Sequence, residues 1–485
     1  MSTRATLLVS LLLTPIFAGS CGPGSDLDVL PGHSRPIFEH DWPHPSELTF
    51  EDAGFQPADP ASALVTTPSG VRAYILPDPA EPLVEVTAVV PLGPNLEGDG
   101  EAGAAQVVSR LLDRALSEHL GSELVATSEV SQDRDLTLLS VQVLAEDWRP
   151  ALTALVRALR HPGLTFAAIG ATRTAGGASG SGSNQAIAEL ARLVARYPLA
   201  PLEPGTTVQP SAVIHVGERA LHPGSVVFGI GGGVPRADAE AAFLELTSGW
   251  VARSDVRAPT LQPPTPAAAR PLPGPLHTVD MEIPQAQIAL GHAMAPLEPE
   301  DEAAFAVMTE VVNIRLNIAT REMRGLTNRA MLVPPIATDG AGVLYVRTSG
   351  RWESVGPLVR YSVEEIGRIG EASGAPTAEE LAQAKGGLTL ARWEDALDGA
   401  RATAATFAME TVRRGSLDHL MAWPAAVRAV SVEDVTYAAR KYIDPSAITA
   451  VVLGQIDEIR EARHPRWPVA FDEVPALIRP PGSGP

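Results

Sequence analysis

Short apolar runs alternate with longer stretches of helical periodicity along the first half of the chain. Runs of about four to eight apolar or β-branched residues predict strands, and apolar positions spaced by three and four predict helices. The apolar side of residues 102–116 shows the helical spacing, with Val107, Val108, Leu111, Leu112 and Ala115. The strands predicted here are 71–76, 83–90, 137–144, 213–217 and 225–228, and the predicted helices are 102–116, 147–161 and 237–251.

The same order of elements begins again after residue 275. The pattern predicts strand 285–290, helix 300–320, strand 343–348, helix 353–369 and a final strand 447–453. Thr377 and Glu380 have the spacing of a capping box before a long helix, and Ser431 and Asp434 have the same form before the last helix. We therefore expect an α+β protein made of two homologous α/β-sandwich domains.

Proline marks the expected boundary between the two domains. Residues 257–275 contain seven prolines, which predicts a semi-rigid linker. The predicted domains are 61–256 and 276–460, followed by a tail over 461–485. A Gly, Ser and Ala run over 170–183 is either a surface connection or a loop that contacts a substrate.

The N-terminus has the features of an export signal. Arg4 precedes an apolar run over 7–17 that is too short to span a bilayer. The run ends in Ala18-Gly19-Ser20-Cys21, which resembles a lipoprotein signal sequence with Cys21 as the lipidated residue. The alternative is a free or buried thiol, since Cys21 is the only cysteine and has no intramolecular disulfide partner. Residues 1–21 would then be the signal peptide and 22–60 a flexible tether, rich in Pro and Gly.

Composition narrows the classes of function. The chain is 45% hydrophobic with a formal net charge of −20, from 57 acidic and 37 basic residues. Such a charge opposes the counterion release on which nucleic-acid binding depends, so we expect no nucleic-acid partner. Beyond the N-terminus no stretch reaches the roughly 18 apolar residues of a membrane helix. Membrane contact is therefore expected only through the lipid anchor.

Two familiar catalytic motifs are not satisfied. The glycine run over 228–233 fails the G-x-G-x-x-G pattern, because Val234 occupies the place of the third glycine. The nearest approach to a G-x-S-x-G nucleophile elbow is 177–181, where Ser181 replaces the last glycine and no strand leads into the turn. Neither nucleotide binding nor serine-hydrolase chemistry is supported.

Several segments, in order, resemble the insulinase-like zinc peptidases of the processing-peptidase type over about residues 62–458. The opening 69–76 and 82–86 look like the first hairpin of that family. The later matches are 321–327 to its L-R-E-x-R-G-L-A-Y segment, 380–385 to E-L-x-x-A-K, 430–435 to T-x-E-D-V and 450–454 to V-V-x-G. The resemblance implies two homologous α/β-sandwich domains.

The zinc motif of that family is degenerate here. Active members carry H-x-x-E-H on the helix after the first hairpin, and the matching positions are Gln106, Ser109 and Arg110. A fixed guanidinium at a ligand position repels a divalent metal. Glu189 is the only nearby candidate for the family's third zinc ligand, and its segment has the pattern of an ordinary amphipathic helix. A shifted register that ends in Glu118-His119 fails because Ala115 would be the first ligand. We therefore expect neither catalytic residues nor metal ligands in this chain.

The second half of active members supplies an Arg and a Tyr that orient the substrate carbonyl. Arg321 matches the Arg, whereas Asn328 stands in place of the Tyr. Arg321 either forms a surface ion pair with Glu322 or faces a chamber between the halves, near Gln106 and Arg110, and contacts substrate.

The resemblance implies a catalytically inactive, lipid-anchored protein of the cell envelope, on the periplasmic face or the outer membrane. It would be the non-catalytic subunit that binds peptide, or completes the chamber, of an active zinc peptidase partner, with zinc only in that partner. The alternatives are a free-standing scaffold or peptide-binding lipoprotein and, with least support, a metalloendopeptidase with a non-standard site.

Overall fold

The computed structural model describes residues 55–172, 174–175, 182–203, 205–259, 272–335 and 340–479. The proposed signal peptide with Cys21 and almost all of the tether 22–60 lie outside these residues. Parts of the loop 170–183 and of the linker 257–275 lie outside them as well. The domain boundary at 257–275 and the lipid anchor therefore stay predictions.

The first half builds a six-stranded mixed sheet from residues 64–232. Along the chain, the strands of this half are β1 (Leu64–Thr66), β2 (Arg72–Pro77), β3 (Leu83–Val90), β4 (Thr127–Gln132), β5 (Thr137–Leu144), β6 (Thr174–Ala175), β7 (Thr206–Thr207) and β8 (Val227–Gly232). Strands β6 and β7 pair only with each other, in a separate two-stranded sheet. The sheet order is β1-β2-β8-β3-β5-β4. Strand β8 runs parallel to β2 and antiparallel to β3.

The helices of the first half are α1 (Pro60–Ala63), α2 (Ala104–Leu120), α3 (Trp148–Arg160), α4 (Phe166–Thr172), α5 (Gly182–Val194), α6 (Pro210–Ala220) and α7 (Arg236–Thr247). Helices α2, α3, α4, α6 and α7 form the layer on one face of this sheet. Helix α3 contacts β3 and β5, and α2 packs against α3 and α6. Their apolar sides bury a common core with alternate residues of the strands, such as Val86 and Val141.

The second half repeats the strand topology of the first. Its strands are β9 (Leu276–Asp280), β10 (Ala286–Met294), β11 (Ala330–Val333), β12 (Gly342–Gly350) and β13 (Thr449–Gly454). They are ordered β11-β12-β10-β13-β9, with β13 parallel to β9 and antiparallel to β10. Read in reverse, this order has the same connections and directions as β2-β8-β3-β5-β4. The predicted α+β fold class is confirmed.

The helices of the second half are more numerous among the described residues. They are α8 (Glu302–Asn317), α9 (Val355–Arg368), α10 (Ala378–Leu388), α11 (Asp395–Leu397), α12 (Gly399–Arg414), α13 (Asp418–Ala429), α14 (Val432–Tyr442), α15 (Ile456–Glu461) and α16 (Val474–Ile478). Two π-helical segments, Ile318–Glu322 and Thr389–Glu394, follow α8 and α10. Both predicted capping boxes are present, at Thr377 and at Ser431.

One predicted strand is wrong. Residues 213–217, expected to be extended, lie inside helix α6. The β-branched run favoured a strand, but Pro210 at the start of the segment is preorganised for the first helical turn. Ala212, Val216 and Ala220 then fall on one buried side with helical spacing. The burial of that side overrides the local β propensity.

Each sheet is covered on its other face by a helix from the opposite half. Helix α5 of the first half contacts β10, β12 and β13 of the second sheet, where it packs on Ala289, Val451 and Leu453. The alternating residues, such as Leu290 and Val452, belong to the core of the second half instead. Helix α12 of the second half contacts β2, β3 and β8 of the first sheet. Residues Gln56–Pro485 therefore form one compact unit.

The glycine run at 228–233 is the surface on which helix α12 lies. Phe228 and Ile230 point into the core of the first half, and Gly229 and Gly231 alternate with them. A Cβ on Gly229 would lie 2.5 Å from the Ala404 carbonyl oxygen, and one on Gly231 would lie 2.3 Å from that of Ala400. The two glycines are needed because the helix backbone rests directly on the strand.

Side-chain contacts also hold α12 against the first half. The Tyr74 hydroxyl lies 2.8 Å from the Thr411 hydroxyl oxygen, and the Tyr74 ring meets Phe407 edge to face at 5.3 Å between centroids. Arg413 donates to Asp133 at 2.6 Å. The buried face of α12 therefore combines close backbone packing with hydrogen bonds and an ion pair.

Replacing Gly231 by Ala should lower the free energy of unfolding by about 1–3 kcal/mol, because the new methyl group would displace helix α12. Gly386→Ala is the control, since Gly386 lies within helix α10 and its added Cβ would meet nothing within 4 Å beyond its chain neighbours and the backbone of that helix. That change should stabilise the protein by up to about 1 kcal/mol. Urea unfolding of the full chain measures both. Equal effects would show that α12 does not depend on close contact with β8.

Candidate functional site

Helix α2 carries Gln106, Ser109 and Arg110, the three positions matched in the sequence to the zinc motif. The helix buries Val107, Val108 and Leu111 against the core. Gln106 and Arg110, four residues apart, both lie on its exposed side, whereas Ser109 is 8% exposed. The geometry expected for an i and i+4 ligand pair is therefore present, but with different side chains.

Neither side chain of this pair is suited to a divalent metal. The Gln106 amide is a neutral and weak ligand, and Arg110 offers only donors. Partial desolvation lowers the pKa of the Arg110 guanidinium below its ordinary value, although the residue as a whole is exposed. An arginine nevertheless keeps its proton at physiological pH. The exposed side of α2 thus carries a positive charge where zinc would lie.

A carboxylate caps the N-terminus of helix α2. Glu97 accepts hydrogen bonds from the backbone amides of Gly103 at 3.0 Å and Ala105 at 2.7 Å. Such amides have no partner within the helix, and the positive end of its dipole favours an acid there. The Tyr197 hydroxyl donates to the same carboxylate. Because Tyr197 follows helix α5, this contact ties α2 to the helix that carries Glu189.

Burial raises the pKa of the Glu97 carboxyl to about 7. The hydrogen bonds from Tyr197, Ala105 and Gly103 favour the charged form and offset only part of that effect. Burial, with the nearby Glu97 charge, also raises the pKa of the Tyr197 phenol above its ordinary range. The pair is therefore a buried hydrogen-bonded contact in which the tyrosine is the donor.

A second carboxylate near the helix is also engaged. Glu101 is 8% exposed and accepts from the Gly98 amide at 2.8 Å. His215 and Arg219, both from helix α6, contact its two oxygens. Burial opposes ionisation of Glu101, but these three contacts outweigh it and hold its pKa below the usual value. Glu101 therefore joins the start of α2 to α6 by an ion pair.

Glu97 and Glu101 are thus committed to structural contacts. Glu189, the candidate for a third ligand, lies 3.4 Å from Arg192 one turn along helix α5. Over the residues that the structure describes, no cluster of three or more His, Cys, Asp or Glu side chains is arranged to hold a metal ion.

The structure brings Arg321 and Asn328 to one polar cavity of about 430 Å³. Arg321 belongs to the π-helical segment Ile318–Glu322, and its Nε lies 3.5 Å from the Glu322 carboxylate. Its side chain is 59% exposed, so this ion pair is a weak one. Gln285, Arg351 and His464 also line the cavity. Arg351 lies 3.9 Å from Glu353, which lines the same cavity, so Arg321 is the guanidinium better placed to bind a carboxylate.

The lining of this cavity comes from residues 285–464. Helix α2 contributes no residue to that lining, so Gln106 and Arg110 are not part of the same cavity. The expected meeting of Arg321 with the degenerate motif is therefore not seen within it. Whether Arg321 contacts substrate stays a prediction.

Sequence reasoning missed the roles of Glu97, Glu101 and Tyr197. An acid shortly before a helix and after a turn is a signal for capping, and Glu97 and Glu101 both stand before the start of α2. No local signal pairs Glu97 with Tyr197, since the two are far apart along the chain.

No known family model matches the sequence, and no curated protein matches it. Solved structures share the fold. The inactive domain of an M16 peptidase from Pseudomonas fluorescens is 18% identical with a TM-score of 0.64, and the match covers 83% of this chain and 98% of that one. The first half of the periplasmic protease PqqL from Escherichia coli is 15% identical with a TM-score of 0.61, covering 87% and 97%. A protease from Helicobacter pylori is 16% identical with a TM-score of 0.56, covering 81% and 98%.

The predicted insulinase-like, or M16-type, fold is therefore confirmed. Against the whole of PqqL, the chain spans 50% of the length of that protein. At sequence identities of 15–18%, these structural similarities are evidence about the fold alone.

Replacing Glu97 by Gln should change how stability depends on pH. The Glu97 pKa is raised from 4.5 to about 7 in the folded state, so its favourable contribution is complete below pH 4.5 and is lost as pH rises through 7. The stability of the wild type relative to Glu97→Gln should thus fall by up to about 3 kcal/mol over that window. Urea unfolding between pH 4.5 and 8 measures the difference.

The exposed acid Glu118, paired with Arg114 on the same helix, provides the control. Glu118→Gln should change stability little, because an exposed ion pair contributes little. A stability difference between wild type and Glu97→Gln that does not vary with pH would mean that the Glu97 carboxyl is not buried enough to retain its proton.

Proposed function

We propose that this chain is a catalytically silent peptidase-like protein of the cell envelope, which binds peptide as the non-catalytic subunit of an active zinc peptidase. One observation carries the proposal. The exposed side of helix α2 has Gln106 and Arg110 at the spacing of two zinc-binding histidines, and Ser109 replaces the general base. Zinc and the activated water would then come only from the partner chain.

The surroundings of the helix support the proposal. Glu97 and Glu101 are held by amides, Tyr197 and Arg219, and so are not available as ligands without breaking those contacts. Removing a partner from a buried hydrogen-bonded carboxylate costs about 1–3 kcal/mol. The likeness of the fold to an M16 inactive domain agrees with a scaffold that is retained without its metal site.

The proposed location rests on the N-terminal segment. Cys21 would carry the lipid, and residues 22–60 would connect the anchor to the folded unit. In the described part of the chain no helix has the length and apolarity needed to cross a bilayer. The periplasmic location of PqqL, a protein of the same fold, agrees with an envelope site.

The purified full chain should hold well under one zinc per molecule and show no chelator-sensitive peptidase activity. The double variant Gln106→His and Arg110→His is the positive control, because two imidazoles at i and i+4 on an exposed helix face form a metal-binding pair. Its zinc content, measured by elemental analysis after dialysis, should exceed that of the wild type. One tightly bound zinc in the wild-type chain would contradict the proposal.

Arg321→Ala should weaken binding of an N-acetylated, alanine-rich octapeptide with a free carboxyl end by about tenfold, because a charge-assisted hydrogen bond contributes about 1.5–3 kcal/mol. The amide form of the peptide should bind both proteins equally. Arg114→Ala is the control, since Arg114 is also 59% exposed and paired with a glutamate. Calorimetry with the full chain measures the affinities. If the peptide affinity is unchanged, Arg321 forms only a surface ion pair, which contributes about 0–1 kcal/mol.

A partner assay separates the subunit from the free-standing alternative. An insulinase-like chain with an intact H-x-x-E-H motif should gain peptide turnover when mixed with the wild type, and less with Arg321→Ala. Peptide binding without any gain in turnover would favour a free-standing peptide-binding lipoprotein.

A further inference from the structure

The two large sheets differ at one edge. The first sheet has six strands and the second has five. Strand β9 of the second sheet is the counterpart of β2, since β9 lies parallel to β13 as β2 lies parallel to β8. In the first sheet, β1 covers the outer edge of β2 as an antiparallel strand. Among the described residues, no strand takes the corresponding place beside β9.

The chain directly before each of these two strands is different. A short turn over residues 67–71 joins β1 to β2. The segment directly before β9 is the proline-rich stretch 257–275. Proline has no N–H to donate and is therefore a poor partner in a strand ladder. This stretch is thus less suited than β1 to pair with the strand that follows it.

The hydrogen bonds of β9 show which backbone groups point away from the sheet. The Pro275 carbonyl accepts from the Ala450 amide at 2.8 Å. Every second residue of a strand bonds to the same neighbour, so Leu276, Thr278 and Asp280 direct their N–H and C=O groups away from β13. The backbone groups of Thr278 have no hydrogen-bond partner in the described part of the chain, and this residue is exposed. Because buried backbone groups are rarely left unpaired, this edge is open to water.

The side chains along this edge change in character from one end to the other. Leu276 is half-buried and packs against the core of the second half. At the opposite end, Asp280 and Glu282 are exposed, and neither forms an ion pair with a described residue. Asp280 accepts from the Ile456 amide at 3.1 Å, which holds its carboxylate beside the end of the strand. Leu276, Thr278 and Asp280 share one face, because alternate side chains of a strand point to the same side.

We propose that the outer edge of β9 binds an extended peptide segment that runs antiparallel to it and has a basic side chain near its amino end. Main-chain hydrogen bonds would supply affinity, and alternate side chains would supply selectivity. The basic side chain would lie opposite Asp280, a β-branched one opposite Thr278, and an apolar one opposite Leu276. Strand β1 is the precedent within this molecule, since it is antiparallel to β2 and buries Val65 in the core. The inference rests on the peptide-binding part of the proposed function.

A labelled peptide tests the edge directly. The probe is Gly-Lys-Gln-Thr-Gln-Val-Gly, with fluorescein at its amino end and an amide at its carboxyl end, titrated against the full chain by fluorescence anisotropy. Methylation of the threonine nitrogen removes an N–H directed at β9 and places a methyl group there, so it should weaken binding about tenfold. Methylation of the next nitrogen, which points away from β9, is the matched control and should leave the affinity within about twofold.

Variants of the protein test the same contact from the other side. Thr278→Pro removes an N–H that faces outward and keeps the hydrogen bonds from β9 to β13, so it should weaken the probe about tenfold. Thr278→Val is its control and should bind as the wild type does, because the contact is made by the main chain. Asp280→Asn keeps an acceptor for the Ile456 amide. The wild type should prefer lysine to glutamate in the probe by up to about fivefold, and Asp280→Asn should reduce this preference.

Three results would overturn the proposal: no saturable binding of the probe, equal affinities of the two methylated peptides, or a dimer of the free chain that Thr278→Pro dissociates. The last result would mean that a second copy of the chain occupies the edge. If Thr278→Pro fails to fold, the two methylated peptides still decide. The probe has no free carboxyl group, so its failure to bind would leave the predictions for Arg321 and for zinc content untouched.

Discussion

Both sheets present two apolar faces, and this condition determines how the rest of the chain is arranged. All six residues of β8 and all six of β13 are buried, so neither strand can leave a face in water. The helices of the same half that lie between and after its strands cover only one face of each sheet. The other face of the second sheet is covered by α5 of the first half, and the other face of the first sheet is covered by α12 of the second half. The two halves therefore depend on each other, although their strands repeat one topology.

The parts of the fold that depend on local signals could be predicted from the sequence. Strands β3 and β5 have the bounds expected from their runs of apolar and β-branched residues, and the capping boxes at Thr377 and Ser431 formed as expected. Helix α12 could not be predicted in the same way. Its buried positions include Thr403, Ala404 and Ala408, which are small or polar side chains suited to a sheet surface lined with glycine, and they give no strong apolar stripe. Only the position of the first sheet explains them.

In the candidate site, too, only the features that depend on neighbouring residues in the sequence could be predicted. The spacing of Gln106 and Arg110 on one helical side follows from the sequence, because helical geometry relates residues four apart. The contacts that fix the start of that helix do not follow from it, since Tyr197 and Arg219 come from other elements. The lining of the polar cavity around Arg321 could not be predicted either, because Gln285 and His464 reach it from distant parts of the chain. The degenerate motif on α2 is thus visible in the local sequence, whereas the lining of a cavity depends on tertiary packing.

The reciprocal covering of the sheets has a consequence for the order in which the chain can fold. A chain synthesised from its N-terminus completes β8 long before residues 399–414 exist, so the glycine-lined face of the first sheet has no cover during that interval. The first half cannot bury this face until residues 399–414 have been made and α12 has formed. Contacts between positions so distant in sequence also slow folding, since the loop must close before they form. An apolar sheet face without its cover is a surface on which aggregation competes with folding, so we expect a chaperone that binds apolar surfaces to improve the yield of folded chain.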